Sequence, residues 1–179
     1  MSGFASIVVL AEDKPQQSLL RAALKKLGHA GQLIIDAPVL GQDNNWVRSH
    51  LLREVAILRK TTYLKAVIAV TDADNATVDE RKNWVEGDLE PARQAGENIF
   101  YVIPRRHIET WIWYLEGNSV DESTNYKKEK GGPVKRDHDL ANVKRRFAEY
   151  IQTGHEPFPD CPPSLQDARE ELRRAFPPN

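Results

Sequence analysis

Two hydrophobic periods alternate along the chain. Short, unbroken apolar runs rich in β-branched residues occur at 6–11, 33–35, 66–70 and 98–103. Such runs mark strands buried on both faces, as in a parallel sheet covered by helices. Between them, apolar residues recur at helical spacing. Leu19, Leu20, Ala23, Leu24 and Leu27 form one stripe, with Pro15 in its first turn and Gly28 as its stop. Trp46, Val47, Leu51, Leu52, Val55 and Leu58 form a second, introduced by the cap-forming Asp43, Asn44 and Asn45 and reaching about Lys60. The third stripe is Val78, Val85, Leu89 and Ala92, with Trp84 beside it. Thr77 and Glu80 suit a capping box there, and Pro91 predicts a kink or a split. Pro104 closes the last strand, and residues 107–116 read as a helix ended by Gly117. Strand and helix alternate with short connections, which predicts an α/β fold: a parallel sheet of about four strands flanked by helices.

Beyond residue 117 the character changes. Residues 118–136 are polar, with Gly131-Gly132-Pro133 and a cluster of Lys127, Lys128, Lys130, Lys135 and Arg136, and read as a long mobile loop. Leu140, Val143, Phe147, Tyr150 and Ile151 predict a helix over about 137–152. Residues 153–163 hold four of the eleven prolines and must be extended, after which Ser164 is placed to cap a short helix bearing Leu165, Ala168 and Leu172. The organisation expected is an α/β core over 1–117, with a charged loop and helical C-terminal extension, 118–179, packing on it.

Composition narrows the function. A chain of 179 residues supports one full hydrophobic core. Lys and Arg number 25 against 26 Asp and Glu, so no global basic field advertises nucleic acid and any such contact must be local. The single cysteine, Cys161, excludes a disulfide framework and a multi-cysteine zinc site within one chain. The first ten residues lack the positive region of a signal peptide, and no apolar stretch approaches the roughly 20 residues needed to span a bilayer. A cytoplasmic protein is expected.

The candidate chemistry lies at strand ends. The run 66–70 stops at Thr71 and delivers Asp72 and Asp74, which in extended backbone point to the same side. In an open α/β sheet, ligands bind outside the carboxyl ends of the strands. Asp72-Ala-Asp74-Asn75 also suits a plain Asx-rich turn. Glu12 follows the first strand, however, and Glu109 lies just beyond the last. Carboxylates converging from separate strands repel unless cations or protons compensate them. Mg²⁺ or Mn²⁺ is the economical compensation, and phosphodiester hydrolysis is what a pair of such ions does well.

With Glu12 at the end of the first strand and Asp72-Ala-Asp74 at the end of a later one, the chain resembles the TOPRIM domain family. The segment Ile103-Pro-Arg-Arg-His-Ile-Glu-Thr-Trp-Ile112 and the tail Pro162-Pro-Ser-Leu-Gln-Asp-Ala-Arg169 are similar to small stand-alone TOPRIM-like proteins related to overcoming-lysogeny-defect-type nucleases. The resemblance covers about residues 5–115 and, more loosely, the remainder. It implies a compact Rossmann-like sheet and Mg²⁺-dependent or Mn²⁺-dependent nicking or cleavage of nucleic acid. Glu12, Asp72, Asp74 and Glu109 would be the catalytic and metal-binding acids. It also implies an antiphage-defence or mobile-element setting and an ATPase partner protein. Two departures stand out. Asp13 replaces the Gly usual after the first Glu, and Gln16 stands where nuclease members often carry a second acid. The alternative reading is therefore a non-catalytic TOPRIM-like regulatory subunit of an ATPase complex.

Further residues complete the candidate set. Arg105 and Arg106, with Lys130 and Lys135 from the basic cluster, are placed to hold substrate phosphates. His107 is a candidate proton shuttle or ligand. Trp111 and Trp113 could stack on bases, though at least one reads as core. His138, His155 and Cys161 match no zinc spacing. A haloacid-dehalogenase-type phosphohydrolase also places Asp-x-Asp after a strand. That family carries Thr or Val four residues after its first Asp, where this chain has Ala76, and its motif lies nearer the N-terminus.

Overall fold

A computed structural model describes residues 6–29, 34–36, 43–127 and 140–177. Strand β1 (Ser6–Ala11), helix α1 (Lys14–Leu24), strand β2 (Ile34–Asp36), helix α2 (Asn44–Lys60), strand β3 (Leu64–Val70), helix α3 (Val78–Glu86), strand β4 (Ile99–Val102) and helix α4 (Ile108–Leu115) follow in turn. Helices α5 (Leu140–Thr153) and α6 (Pro163–Ala175) complete the described chain. The strands pair in parallel in the order β2-β1-β3-β4; β1, β3 and β4 form the body of the sheet, and β2 adds three residues beside β1. The expected α/β fold with a parallel sheet between helices is what forms.

Side-chain alternation divides the apolar residues into two layers. Ile7, Val9 and Ala11 of β1 and Ala66, Ile68 and Val70 of β3 face a core built with α1, α4, α5 and α6. Val8, Leu10, Val67 and Ala69 face the opposite core, against α2 and α3. Period-two alternation with both sets buried is what an unbroken apolar run requires. The chain runs from β1 outward to β2, then returns across β1 to β3, so strand order reverses between β1 and β3. The crevice at such a switch point is the usual ligand site of an open α/β sheet, and Glu12 and Asp72 flank it.

Three expectations need correction. The helix after Thr77 keeps its capping box but ends at Glu86, with Gly87 as its cap, instead of reaching Ala92. The Arg59 guanidinium bonds the carbonyls of Glu90 and Pro91 and the carboxylate of Glu97, which holds the following turn in a non-helical path. Ser164 does not cap α6; Pro162 holds that position, and the buried Ser164 hydroxyl accepts from Trp111 Nε1 at 2.8 Å and donates to Glu122. Residues 118–127 form an anchored turn rather than a structureless loop. Tyr126 is buried, stacks on Trp113 with ring centroids 6.1 Å apart, and accepts from the Asp121 N–H at 2.8 Å. Residues 128–136 of that loop, with Lys130 and Lys135, lie outside the described residues, as does His138.

Candidate active site

Asp72 is the centre of the site. It leaves β3 into the crevice, is 1% exposed, and divides its two oxygens between tasks. Oδ1 accepts from Gln16 Nε2 at 2.9 Å and from the Ile108 backbone N–H at 3.0 Å, at the start of α4. Oδ2 faces Lys127 Nζ at 3.2 Å and His107 Nδ1 at 3.4 Å. A carboxylate so fixed on one side presents the other in a single orientation. Gln16 is itself fully buried, and its Oε1 accepts from the Glu12 N–H at 2.9 Å. The amide thus ties the end of β1 to the end of β3 with one donor and one acceptor. An acid here could not donate to Asp72 without holding a proton. The departure at position 16 therefore has a structural reason in this chain. Asp13 has one as well: its carboxylate caps α1 by accepting from the Gln16 N–H at 2.9 Å.

Glu12 reaches the same point from β1, accepting from the Thr71 hydroxyl and from the Asp72 N–H at 3.1 Å. Burial and then the neighbouring Asp72 push its pKa up to about 7, against the opposing hydrogen bond from Thr71. Glu109 comes from α4. Its Oε2 is buried without a hydrogen-bond partner and lies 3.9 Å from Lys127 Nζ. Burial raises its pKa as well, with Lys127 pulling the other way. Lys127 answers both acids: burial works against its charge, but Asp72 and Glu109 together raise its pKa.

Asp74 sits at the rim. The backbone turns left-handed there, with φ of 54°, a conformation Asp tolerates better than most residues. Its carboxylate pairs with Arg81 at 3.0 Å and faces His107 Nδ1 at 3.5 Å. His107, 8% exposed, therefore stands between the two aspartates. The loops after β3 and β4 are zipped by Ala73 N–H to Pro104 O and Asp74 N–H to Arg106 O, each 2.9 Å. Arg106 is also left-handed, with φ of 70°. Non-glycine residues in this region cost on the order of 1–3 kcal/mol and collect at functional sites.

The expected acids thus meet through shared neighbours: Glu12 at the Asp72 amide, Glu109 at Lys127, Asp74 at His107. The two expected phosphate-binding arginines are otherwise engaged. Arg105 donates to the carbonyls of Asp74 and Ala76, and Arg106 to Asn75 Oδ1 at 2.8 Å, so both fasten the zipped loops. Trp111 is wholly buried against Phe147, while Trp113 stacks on Tyr126. Gln16 was expected only as a departure from the resembled pattern, and Lys127 only as one member of the basic cluster. Asp13 and Gln16 stand three apart at the start of α1, the capping-box spacing that lets the amide reach back to the Glu12 N–H. Nothing local in the sequence distinguishes Lys127 from the lysines beside it.

Among the described residues, no three acidic, histidine or cysteine side chains surround a common point as in a formed metal centre. The donors nevertheless suit Mg²⁺ or Mn²⁺, which take oxygen ligands. Glu109 Oε2 is an orphaned buried acceptor. Burial, with Asp72 adding to it, raises the pKa values of Glu12 and Glu109, and the Lys127 ammonium stands between Asp72 and Glu109. No protein-family model, curated protein or solved structure matches the chain.

Proposed function

We propose that the chain is a metal-dependent phosphodiesterase of TOPRIM type that nicks or cuts nucleic acid, in a defence or mobile-element system with an ATPase partner. The observation that supports this most is the gathering of acids from three strand ends around Asp72, where, among the described residues, positive charge falls short of negative charge. Asp72, Asp74 and Glu109 would hold Mg²⁺ or Mn²⁺, and Glu12 would either join them or take a proton from the attacking water. When bound, the ion polarises a phosphoryl oxygen and makes water a better nucleophile.

The chain's own groups perform the rest. Gln16 and the Ile108 amide hold Asp72 Oδ1, so Oδ2 keeps one orientation towards the crevice. Glu12, with its pKa near 7, is poised to take a proton at neutral pH, the condition a general base needs. Lys127 can turn from Asp72 to a phosphate oxygen, because 39% of its side chain is exposed. The zipped loops keep Asp74 and His107 at the rim.

A second reading has a specific observation in its favour. Gln16 supplies an amide where an acid would be expected, and Lys127 already satisfies Asp72. On that reading the chain is a non-catalytic regulatory subunit of an ATPase complex. Plasmid nicking and RNA cleavage with added Mg²⁺ or Mn²⁺, by wild type and Asp72→Asn, separate the two. The enzyme reading expects a fall of about 10²-fold or more in the variant. Equal cleavage by both proteins, or none by wild type, overturns it; metal binding without cleavage selects the regulatory subunit.

A further inference from the structure

Helices α1 and α5 lie side by side, and between them opens a groove of ≈ 530 Å³ lined by Arg21, Lys25, Lys26, Lys144, Arg145 and, as its one acid, Glu149. The charge is concentrated well beyond the chain's average. Residues 14–29 and 140–153 carry seven basic side chains against Glu149 alone, whereas the whole chain is balanced at 25 to 26. Lys25, Lys26 and Arg145 are exposed, and Lys144 is half-buried. Within the groove, Arg145 pairs with Glu149 at 3.0 Å.

The groove is also aligned with the crevice. The two helices run in the same direction, with Gln152 Nε2, near the end of α5, donating to the Lys26 carbonyl just past the end of α1. The groove's near end, Ser18, is two residues from Gln16, which touches Asp72. From Ser18 to Lys26 is about 12 Å of helix rise, the span of three or four phosphates along one strand of a duplex.

We propose that the α1–α5 groove binds the phosphodiester backbone of nucleic acid and leads it towards the Asp72 crevice. The choice of nucleic acid over other polyanions rests on the phosphodiesterase reading; the groove's affinity for a polyanion does not. The contacts proposed are to the phosphates, which carry no sequence information and make the binding depend on salt.

The test is fluorescence anisotropy of a labelled 20-bp DNA duplex in EDTA across a salt series. It compares wild type, the triple variant Lys25→Gln/Lys26→Gln/Lys144→Gln, and Asp72→Asn. Near 50 mM salt the triple variant is expected to bind at least tenfold more weakly. Its log–log salt slope should be shallower by about 2 to 3, close to one for each phosphate that is no longer neutralised. Asp72→Asn should keep the wild-type slope. Circular dichroism and thermal melting confirm that the triple variant is folded, and Arg53→Gln/Lys60→Gln on α2, read per charge removed, controls for loss of charge elsewhere. Unchanged affinity and slope in the triple variant, an equal loss in the α2 control, or no duplex binding by wild type would overturn the groove. Competition by poly-glutamate as effective as that of unlabelled duplex would overturn the nucleic-acid assignment. Once Mg²⁺ replaces the EDTA, cleavage of that duplex by Asp72→Asn as fast as by wild type would leave the groove standing and remove the phosphodiesterase reading.

Discussion

Two regions of this molecule bury glutamates against the sheet and treat them in opposite ways. At the carboxyl rim, Glu109 has a side chain only 11% exposed, a buried Oε2 with no hydrogen-bond partner, and a single cation 3.9 Å away. Burial accordingly raises its pKa. On the outer flank of β4, the Glu171 side chain is 18% exposed, but it accepts from Arg93 at 2.8 Å, Arg174 at 3.1 Å and the Tyr101 N–H at 3.2 Å. Burial opposes its charge too, yet these donors together lower its pKa. Arg93 and Arg174 also donate to the Ile99 carbonyl, so the clasp covers backbone groups that an edge strand leaves open. The contrast separates acids used to hold the fold from acids kept short of partners. Burial alone does not tell them apart; the charge of the donors does. Glu12, whose hydrogen bonds come from the uncharged Thr71 hydroxyl and Asp72 N–H, belongs to the second kind.

The largest effect expected from this difference lies at Glu12. Its pKa moves from 4.5 to about 7, so the folded state holds the proton more tightly than the unfolded state does. Its favourable contribution is complete below about pH 4.5 and is lost as pH rises through about 7, an integrated change of roughly 3 kcal/mol. Urea titrations in EDTA at pH 5 and pH 8 should show wild type losing about that much more stability than Glu12→Gln across the interval. Parallel curves would mean that the rim is as well compensated as the flank.

A smaller effect of the opposite sign is expected at Glu171. Glu171→Gln leaves Arg93 and Arg174 with a weaker acceptor and should cost about 1.5–3 kcal/mol at pH 7, the range for hydrogen bonds to charged groups. Because its pKa is lowered, this contribution is present above about pH 4.5 and fades as pH falls further. Wild type and variant should therefore converge in acid, whereas the Glu12 pair diverges towards alkaline pH. If Glu171→Gln matches wild type at pH 7, the clasp adds nothing and the comparison collapses.

The rim was more legible in the sequence than the flank, for a physical reason. A buried strand announces itself by its apolar run, and the residue after the run must stand at the sheet's edge, so the apolar pattern alone placed Glu12 and Asp72. Asp74 followed from backbone periodicity, although its side chain faces the same neighbour as Asp72 through a left-handed turn rather than an extended path. Glu171 gave no such sign, because its value comes from Arg93, which lies 78 positions away. Ser164 misled for the same reason: its position suited a cap, but Trp111 and Glu122 claim its hydroxyl from distant segments. Arg105 and Arg106 were rightly placed near the acids, yet no spacing rule reports that neighbouring loop oxygens would occupy their guanidiniums.

The smallest effect expected tests what Lys127 is doing at the rim. Among the described residues its ammonium is the nearest positive charge to Asp72 Oδ2, at 3.2 Å, and the anchored turn around Tyr126 brings it there. With 39% of the side chain exposed, solvent weakens the pair, and Lys127→Met in EDTA should change stability by no more than about 1 kcal/mol. The informative measurement is the increment that Mg²⁺ adds. If Lys127 and the ion compete for the same carboxylate oxygens, removing the lysine tightens the metal, and a fivefold tighter site adds about 1 kcal/mol of ligand-linked stability at saturating Mg²⁺. Thermal melts across a Mg²⁺ series should therefore separate the two proteins only as metal is added, and Asp72→Asn should abolish the separation. Equal Mg²⁺ increments in wild type and Lys127→Met would show that the ion binds elsewhere. The rim would then differ from the β4 flank only in lacking partners.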